Sequence, residues 1–339
     1  MRQLPAAVMS TEPDEWSTLA ERSLVVALAL AIDLLCGEPP ARAHPVVWMG
    51  RLINVERRHL PPGGPARQLL AGGAVVAANV ALAAVAGGVA ERLTATLPRV
   101  PRLVVRGAML KALMSLRMLG TEAARVMRHV ERNDLDEARL ALQSLVSRDV
   151  SALDTPLLLA AAIESVAENA SDSIIAPLLA YVAGGLPGAA LYRMANTMDA
   201  VLGYRGDYEY LGKAAARFDD LLNWLPARLT AGLLALAAPL VGAAPNAVWM
   251  VARRDHQLTA SPNAGWPMSA ASGALAARLE KRGHYILGAD QPEPETATVG
   301  RAIRLLHGGA GLFVACLALA GLLAASAQNA RRGATRRRT

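Results

Sequence analysis

The sequence predicts an all-α, polytopic integral membrane protein with broken or re-entrant helices and a helical cytoplasmic insertion. Three observations carry this. The chain of 339 residues is 53% hydrophobic with a positive mean hydropathy of +0.27. Long apolar runs recur, and glycine or proline interrupts several of them, as happens where protein or a wet cavity satisfies the freed backbone groups. Arginine supplies most of a net charge of +7 and clusters between the runs and at the C-terminus, which suits a lipid bilayer with anionic headgroups, or phosphorylated ligands. Aromatics are only 4%, and no basic helix, zinc spacing or RNA-binding signature occurs, so nucleic acid is not an expected partner.

Residues 1–20 are mixed polar, hold Pro5 and Pro13, and lack a basic segment followed by a cleavable apolar core; they read as a loose leader. Leu24 to Cys36 is apolar for about 13 residues, too short to span, and contains Asp33. A short buried or half-inserted helix is expected, ending before Pro39-Pro40. His44 opens the next apolar stretch; a structural imidazole is the ordinary reading, and nearby Asp33 and Glu38 favour a functional one. Leu69 to Ala90 gives about 22 uncharged residues, one bilayer crossing, with Gly72, Gly73, Gly87 and Gly88 suited to close helix packing.

Residues 92–155 are basic and amphipathic, with apolar positions at helical spacing through Leu110, Leu113, Met114, Leu116 and Met118, and again from Leu135 to Leu145. Two or three cytoplasmic helices are expected, with Met109, Met114 and Met118 as core filler. Ile174 to Ala195 is membrane-like but cut by Gly184-Gly185-Leu186-Pro187-Gly188. A re-entrant hairpin is preferred to a straight crossing, because it returns Asn196 to the side of Asp172. Leu229 to Ala252 is interrupted by Pro239 and Pro245; Ala270 to Lys281 is helix-like; Gln291 to Thr296 reads as a flexible linker. Ala310 to Ala327 is long enough for a last span, though a cytoplasmic tail would then place the polar Arg253 to His307 outside, so a re-entrant segment is the alternative. Residues 21–328 thus form one membrane-embedded domain, and 329–339 a basic disordered tail. Cys36 and Cys316 lack metal-ligand spacing and read as small buried hydrophobes.

Chemistry concentrates between Glu164 and Arg228. Glu164, Glu168 and Asp172 sit four apart, within an arc of about 80° on a helix. Such a stripe could hold magnesium together with phosphate oxygens; a solvated helix face is the alternative. Asn196 and Asp199 follow at helical spacing, then Arg205 between Tyr204 and Tyr208. Lys213, Arg217 and Arg228 are cations able to grip phosphate, and Asp219, Asp220 and Asn223 form an oxygen cluster. Gly206 to Ala214 is no phosphate loop: five residues separate its glycines, and Ala214 stands where Ser or Thr should bind magnesium.

Four blocks, in order, resemble those of the CobD/CbiB family of cobalamin biosynthesis: DLLCGEPPARAHPVVWMGRLI (Asp33 to Ile53), ESVAENASDSIIAPL (Glu164 to Leu178), Asn196 to Ala231 beginning NTMDAVLGYRGDYEY, and SPNAGWPMSAASGALAARL (Ser261 to Leu279). The departures are Glu38, where Asp is expected, and Ser173, where Gly is expected. The resemblance implies a multi-pass enzyme of the cell inner membrane, adenosylcobinamide-phosphate synthase. That enzyme joins the carboxyl of adenosylcobyric acid to (R)-1-amino-2-propanol or its O-phosphate, with ATP as co-substrate and Mg2+. Other membrane-associated cobalamin-assembly enzymes are partners such a role would admit. On this reading Glu164, Glu168 and Asp172 bind metal, and Arg205, Lys213 and Arg217 bind phosphate. Asp199 or Asp219 acts as base with Glu168 catalytic, and His44, Asn196, Asn263 and Trp266 contact substrate. Two rivals compete: a CDP-alcohol type phosphotransferase, suggested by DDLLNWLPAR but lacking spaced acids downstream, and a non-catalytic corrinoid transport or assembly subunit, suggested by the broken helices.

Overall fold

In the computed structural model, which describes residues 15–59, 64–203 and 209–336, the apolar runs become α-helices with one short β-hairpin among them. Helix α1 (Glu15–Cys36) is longer than expected, because the polar residues 15–20 continue it; residues 1–14 of the expected leader lie outside the described residues. The helix ends where Gly37 turns left-handed (φ 70°) and donates its N–H to Asp33 O at 3.0 Å, a conformation that glycine adopts without steric cost. Cys36 and Cys316 are exposed rather than buried. Each lies on an outer face of its helix, so apolar company in sequence did not mean company in the core.

After α2 (Pro45–His59), helix α3 (Pro65–Ala95) is one of four segments long and apolar enough to cross a membrane among the described residues. Gly72 lies against the backbone of Leu211 and Gly87 against that of Leu186 and Pro187, so these two glycines permit the close approach; Gly73 faces open space. The insertion supplies α4 (Arg99–Lys111), α5 (Leu116–Glu131) and α6 (Leu135–Leu142). It does not stand apart as a soluble unit, because α4 packs along α1. Leu110, Met114 and Leu116 are buried, whereas Met109 and Met118 are exposed at 38% and 46% and are not core filler.

The central feature comprises α7 (Thr155–Ala170), a π-helical turn (Ser171–Ile175) and α8 (Ala176–Leu202). Within α8 the backbone leaves helical geometry at Gly185 (φ 66°, ψ −156°) and the chain reverses. A straight helix would separate residues 172 and 192 by about 30 Å. Instead the Tyr192 hydroxyl donates to Asp172 O at 3.2 Å, and Gly188 lies against Ala180 O. The expected hairpin therefore forms, with Pro187 at the start of its second arm. At its tip Arg22 Nη1 donates to Val182 O (2.8 Å) and Ala183 O (3.0 Å), which have lost their helical partners. Arg106 holds the neighbourhood by donating to Glu21, Thr94 Oγ1 and Glu91 O.

Helix α9 (Glu209–Ala237) crosses both arms and passes through a 3-10 turn (Ala238–Val241) and left-handed Gly242 into α10 (Pro245–Asp255). Helix α11 (Gly265–Leu275) stops at Ala276, itself left-handed (φ 48°), so Leu279–Lys281 is not helix but strand β1, paired with β2 (Tyr285–Leu287) around Gly283. The expected linker is fastened: Arg278 N–H donates to Pro292 O at 2.7 Å, and Glu295 N–H to Thr298 Oγ1 at 3.1 Å. Helix α12 (Thr296–Arg336) runs unbroken, so Ala310 to Ala327 is a straight segment and not re-entrant, and helix continues into the arginine tail expected to be disordered. The Ser23 hydroxyl, donating to Leu317 O at 3.0 Å, ties α1 to α12.

Replacing Gly185 by valine puts a side chain into a glycine-only conformation and against the Glu91 carboxylate. Thermal unfolding in detergent should show a loss of about 1–3 kcal/mol, whereas Gly184→Ala, which meets nothing within 4 Å, should match the parent protein.

Candidate functional site

The π turn adds a residue to the first arm and swings Asp172 and Ser173 toward the second, the kind of bulge that recurs at functional sites. Across the gap stand Tyr192, Arg193 and Asn196. The Arg193 Nη1 donates to Asp172 O (3.5 Å), Ser173 Oγ (3.3 Å) and Asn196 Oδ1 (3.4 Å). Asp172 and Asn196 therefore lie at one end of the hairpin. Ser173, one of the two departures from the family pattern, donates its hydroxyl to Asn169 Oδ1 at 2.8 Å.

Helix α9 closes the floor. Buried Asn223 accepts from the Tyr192 hydroxyl at 2.7 Å and donates to Asp219 Oδ2 at 2.8 Å, and Asn196 Nδ2 donates to Asp219 Oδ1 at 3.4 Å. Both Asp219 oxygens are thus committed. Asp199, one turn beyond Asn196, lies against Gly203 and in the field of Asp220, with no hydrogen bond to another described side chain.

Glu164 and Glu168 face a separate polar cavity of about 250 Å3, lined also by Arg148, Ser165, Lys281 and Tyr285. Arg148, from the loop after α6, reaches Glu164 Oε2 at 3.1 Å. The β-hairpin contributes the other two. Burial, and after it the carboxylates of Glu164 and Glu168, push the Tyr285 phenol above its ordinary value, so it remains a hydrogen-bond donor. Glu168 lies in the field of Lys281, Asp199 and Arg148 and joins this cavity to the α9 floor.

The Asp33 and His44 block also arrives. Buried Lys111 bridges Asp33 Oδ1 (3.1 Å) and Glu38 Oε2 (2.8 Å), Glu38 pairs with His44 Nε2 (3.0 Å), and Asp33 Oδ2 accepts the Arg117 N–H at 2.7 Å. Glu38 in turn acts on Arg193. Beside it an apolar chamber of about 940 Å3 opens between α2, α3, α4 and α8, reaching Met194 next to Arg193 and Pro45 next to His44.

Other residues singled out from sequence stand elsewhere. Asn263 has both ends of its amide engaged, donating to Asp220 O (2.7 Å) and accepting from Arg228 (3.1 Å). Trp266 is packed against His256, with centroids 4.0 Å apart, and against Trp249 at 5.8 Å. Lys213 pairs with Glu209 on the exposed side of α9, and Arg217 is 83% exposed, 3.7 Å from Asp220. Arg205 lies outside the described residues. Among the described residues no group of three or more His, Cys, Asp or Glu side chains is gathered closely enough to hold a metal ion. The stripe from Glu164 to Asp172 is therefore no three-acid cage: eight residues of helix separate its ends by about 12 Å, and Glu164 turns to Arg148 while Asp172 meets the second arm.

Sequence reasoning missed Lys111, Arg148, Tyr192, Arg193, Lys281 and Tyr285. Arg193 did carry a signal, being a charge inside a membrane-like run. Arg148 sits in a polar loop where one more cation is unremarked, and Lys281 at the end of a segment that reads as helix.

Removing the Tyr192 hydroxyl (Tyr192→Phe) leaves Asn223 Oδ1 without its donor in a buried setting; a stability loss of about 1–3 kcal/mol is expected in thermal unfolding. The β-hairpin offers a pH test. Burial pushes the Asp255 carboxyl up, but Arg254 at 2.7 Å and the Gly288 N–H at 2.7 Å outweigh it and hold the carboxyl below its ordinary value. The resulting stability is complete above about pH 3.9 and lost as pH falls through the lower folded value. Acid titration of the unfolding midpoint should show this step in the parent protein and not in Asp255→Asn.

Comparison with known proteins identifies the family. The family model described as CobD/Cbib protein matches residues 26–306, a range holding every element named above except the first half of α1 and most of α12. The chain is 40% identical over 291 residues to "Cobalamin biosynthesis protein CobD" of Dehalococcoides mccartyi, covering 86% of this chain and 94% of that one. It is 39% identical to the protein of the same name from Geobacter metallireducens (87% and 96% covered) and 38% identical to that from Chromobacterium violaceum (89% and 97%). No solved structure matches. The chain belongs to the CobD/Cbib family.

Proposed function

We propose that the protein acts in cobalamin biosynthesis, the role for which its relatives are named, as a multi-pass enzyme of the cell inner membrane. The reaction is ATP-dependent amide formation between the carboxylate of adenosylcobyric acid and (R)-1-amino-2-propanol or its O-phosphate. The observation that carries this reading is the convergence, at one end of the hairpin, of Glu168, Asp199 and Asp219 with Arg193, Arg148 and Lys281. Amide formation needs groups of both signs: cations for phosphate charge and a carboxylate for the proton of the amine. The apolar chamber beside Met194 offers room for one face of a large macrocycle.

The chemistry divides into two balanced steps. An oxygen of the substrate carboxylate attacks the γ-phosphorus, the bond from phosphorus to the β-bridging oxygen breaks, and ADP leaves. The amine nitrogen then attacks the acyl carbon, the carbon–oxygen bond to phosphate breaks, and the ammonium proton passes to a protein base. Asp199 suits that last task better than Asp219, whose oxygens are already held by Asn196 and Asn223. Arg193, fixed by three acceptors, is the cation that would stabilise the negative charge of the transition state.

The donor set fits Mg2+ only in its phosphate-bound form, with one or two carboxylates and the remaining positions filled by phosphate oxygens and water. Glu164 Oε1, buried and without a hydrogen-bond partner, and Glu168 would hold it. When bound, the ion would neutralise phosphate charge.

Incubating the purified protein with adenosylcobyric acid, aminopropanol phosphate and Mg-ATP should yield a product of the amide's mass together with ADP. Glu168→Gln should abolish it, and Asp199→Asn should lower kcat by about 10²–10⁴, with both variants remaining in the membrane. The broken helix favours one rival, a corrinoid carrier. No product, but corrinoid exchange across proteoliposomes, would select it.

A further inference from the structure

Of the cations expected from sequence to grip phosphate, Lys213 and Arg217 lie on the outer side of α9, Arg228 is engaged by Asn263 and stacked on Trp224, and Arg205 lies outside the described residues, which leaves the phosphate subsite unassigned. A polar cavity with the required groups exists elsewhere. We propose that Arg148, Lys281 and Tyr285 form a pocket against Glu164 and Glu168 that takes a phosphoryl group accompanied by a divalent cation; its phosphoryl nature rests on the ligase reading above.

Four observations converge. The cavity, about 250 Å3, is of the size of a phosphate group with its cation and water, not of a macrocycle. Glu164, with a side chain only 7% exposed, is held through one oxygen by Arg148, while its other oxygen and the Nε of Arg148 are buried without hydrogen-bond partners. Such unpaired atoms are costly inside a protein unless a ligand meets them. Guanidinium and ammonium donors converge from a loop and from the β-hairpin, and the Tyr285 phenol, which donates weakly to Met268 Sδ at 3.8 Å, stands beside them; donors of this kind match the acceptor oxygens of phosphate. Finally, the pocket holds two carboxylates against two cations, so a bare phosphate dianion would meet as much repulsion as attraction. A divalent cation placed toward Glu168 removes that penalty. The pocket therefore discriminates between a metal-bound phosphoryl group and a free oxyanion.

Glu168, which lines this pocket, also lies in the electrostatic field of Asp199, the base of the proposed reaction. Two ligands of the proposed reaction carry suitable phosphate: the nucleotide, and the phosphorylated amine.

The test uses the full chain in lipid nanodiscs and measures binding of Mg-ADP, Mg-ATP, aminopropanol O-phosphate with Mg2+, free aminopropanol and inorganic phosphate alone. Lys281→Ala is compared with the parent, and Arg148→Ala is paired with Glu164→Gln so that no unpaired charge is left buried. The phosphorylated ligand that uses the pocket should bind about tenfold or more weakly in either variant, as expected for loss of a charge-assisted hydrogen bond, while free aminopropanol is unaffected. Parent-protein binding should require Mg2+, with inorganic phosphate alone weak. If only the nucleotide weakens, the source is ATP; if only the phosphorylated amine weakens, it is the amine. If variants with unchanged melting behaviour bind both ligands like the parent, the pocket is overturned while the ligase reading stands. If the parent binds neither, both fall.

Discussion

A chain that breaks a helix inside an apolar protein must find partners for the backbone groups it frees, and the whole molecule is arranged around that constraint at Gly185. Where apolar side chains surround such a break, the protein itself must supply them. At the tip the partner is Arg22, donating to the two carbonyls that end the first arm. At the mouth the partners are Tyr192 and Arg193, which cross from the second arm to Asp172 and Ser173. The same bonds that make the reversal tolerable thus define the two walls of the polar centre. Structure and site are not separable here, because the residues that close the hairpin also line it.

Charge is handled by the same logic. Lys111 is buried between Asp33 and Glu38, and Arg148 reaches buried Glu164. Each such pair lies far from the outer face, where the pairs Lys213–Glu209 and Arg217–Asp220 are solvated and contribute little. Breaking a buried pair by removing one partner leaves an uncompensated charge, a cost several times that of losing a surface pair. That asymmetry locates the functional charges better than their number does.

It also explains how far the sequence could be read. The hairpin was legible because Gly184 to Gly188 leaves a straight span no acceptable backbone, and only one geometry brings Asp172 back to Asn196. The acids Glu164, Glu168 and Asp172 were legible as a stripe, but spacing along a helix says which face they share, not what meets them; Arg148 and Lys281 come from a loop and a strand distant in sequence. Lys213 and Arg217 looked apt because they follow the motif closely, yet the turn of α9 that buries Asp219 and Asn223 must expose them. The β-hairpin was hidden for a local reason. Ala276 takes a left-handed conformation that alanine rarely adopts, so an apolar, alanine-rich segment that promises a longer helix stops at Leu275.

The consequence for mechanism is a division of labour between rigid and inserted parts. Asp199, Asp219, Asn196 and Arg193 sit on α8 and α9, helices locked to one another by the Tyr192–Asn223–Asp219 chain, so this polar centre has little freedom to reorganise. Arg148 and Lys281 come instead from a loop and from a two-stranded hairpin that is anchored by buried Leu279 and Leu287 and by the bonds from Gly288 to Asp255 and from Arg278 to Pro292. On the proposed ligase reading, binding of a phosphorylated ligand falls to groups brought together from two segments distant in sequence, and acyl transfer to groups fixed on two packed helices.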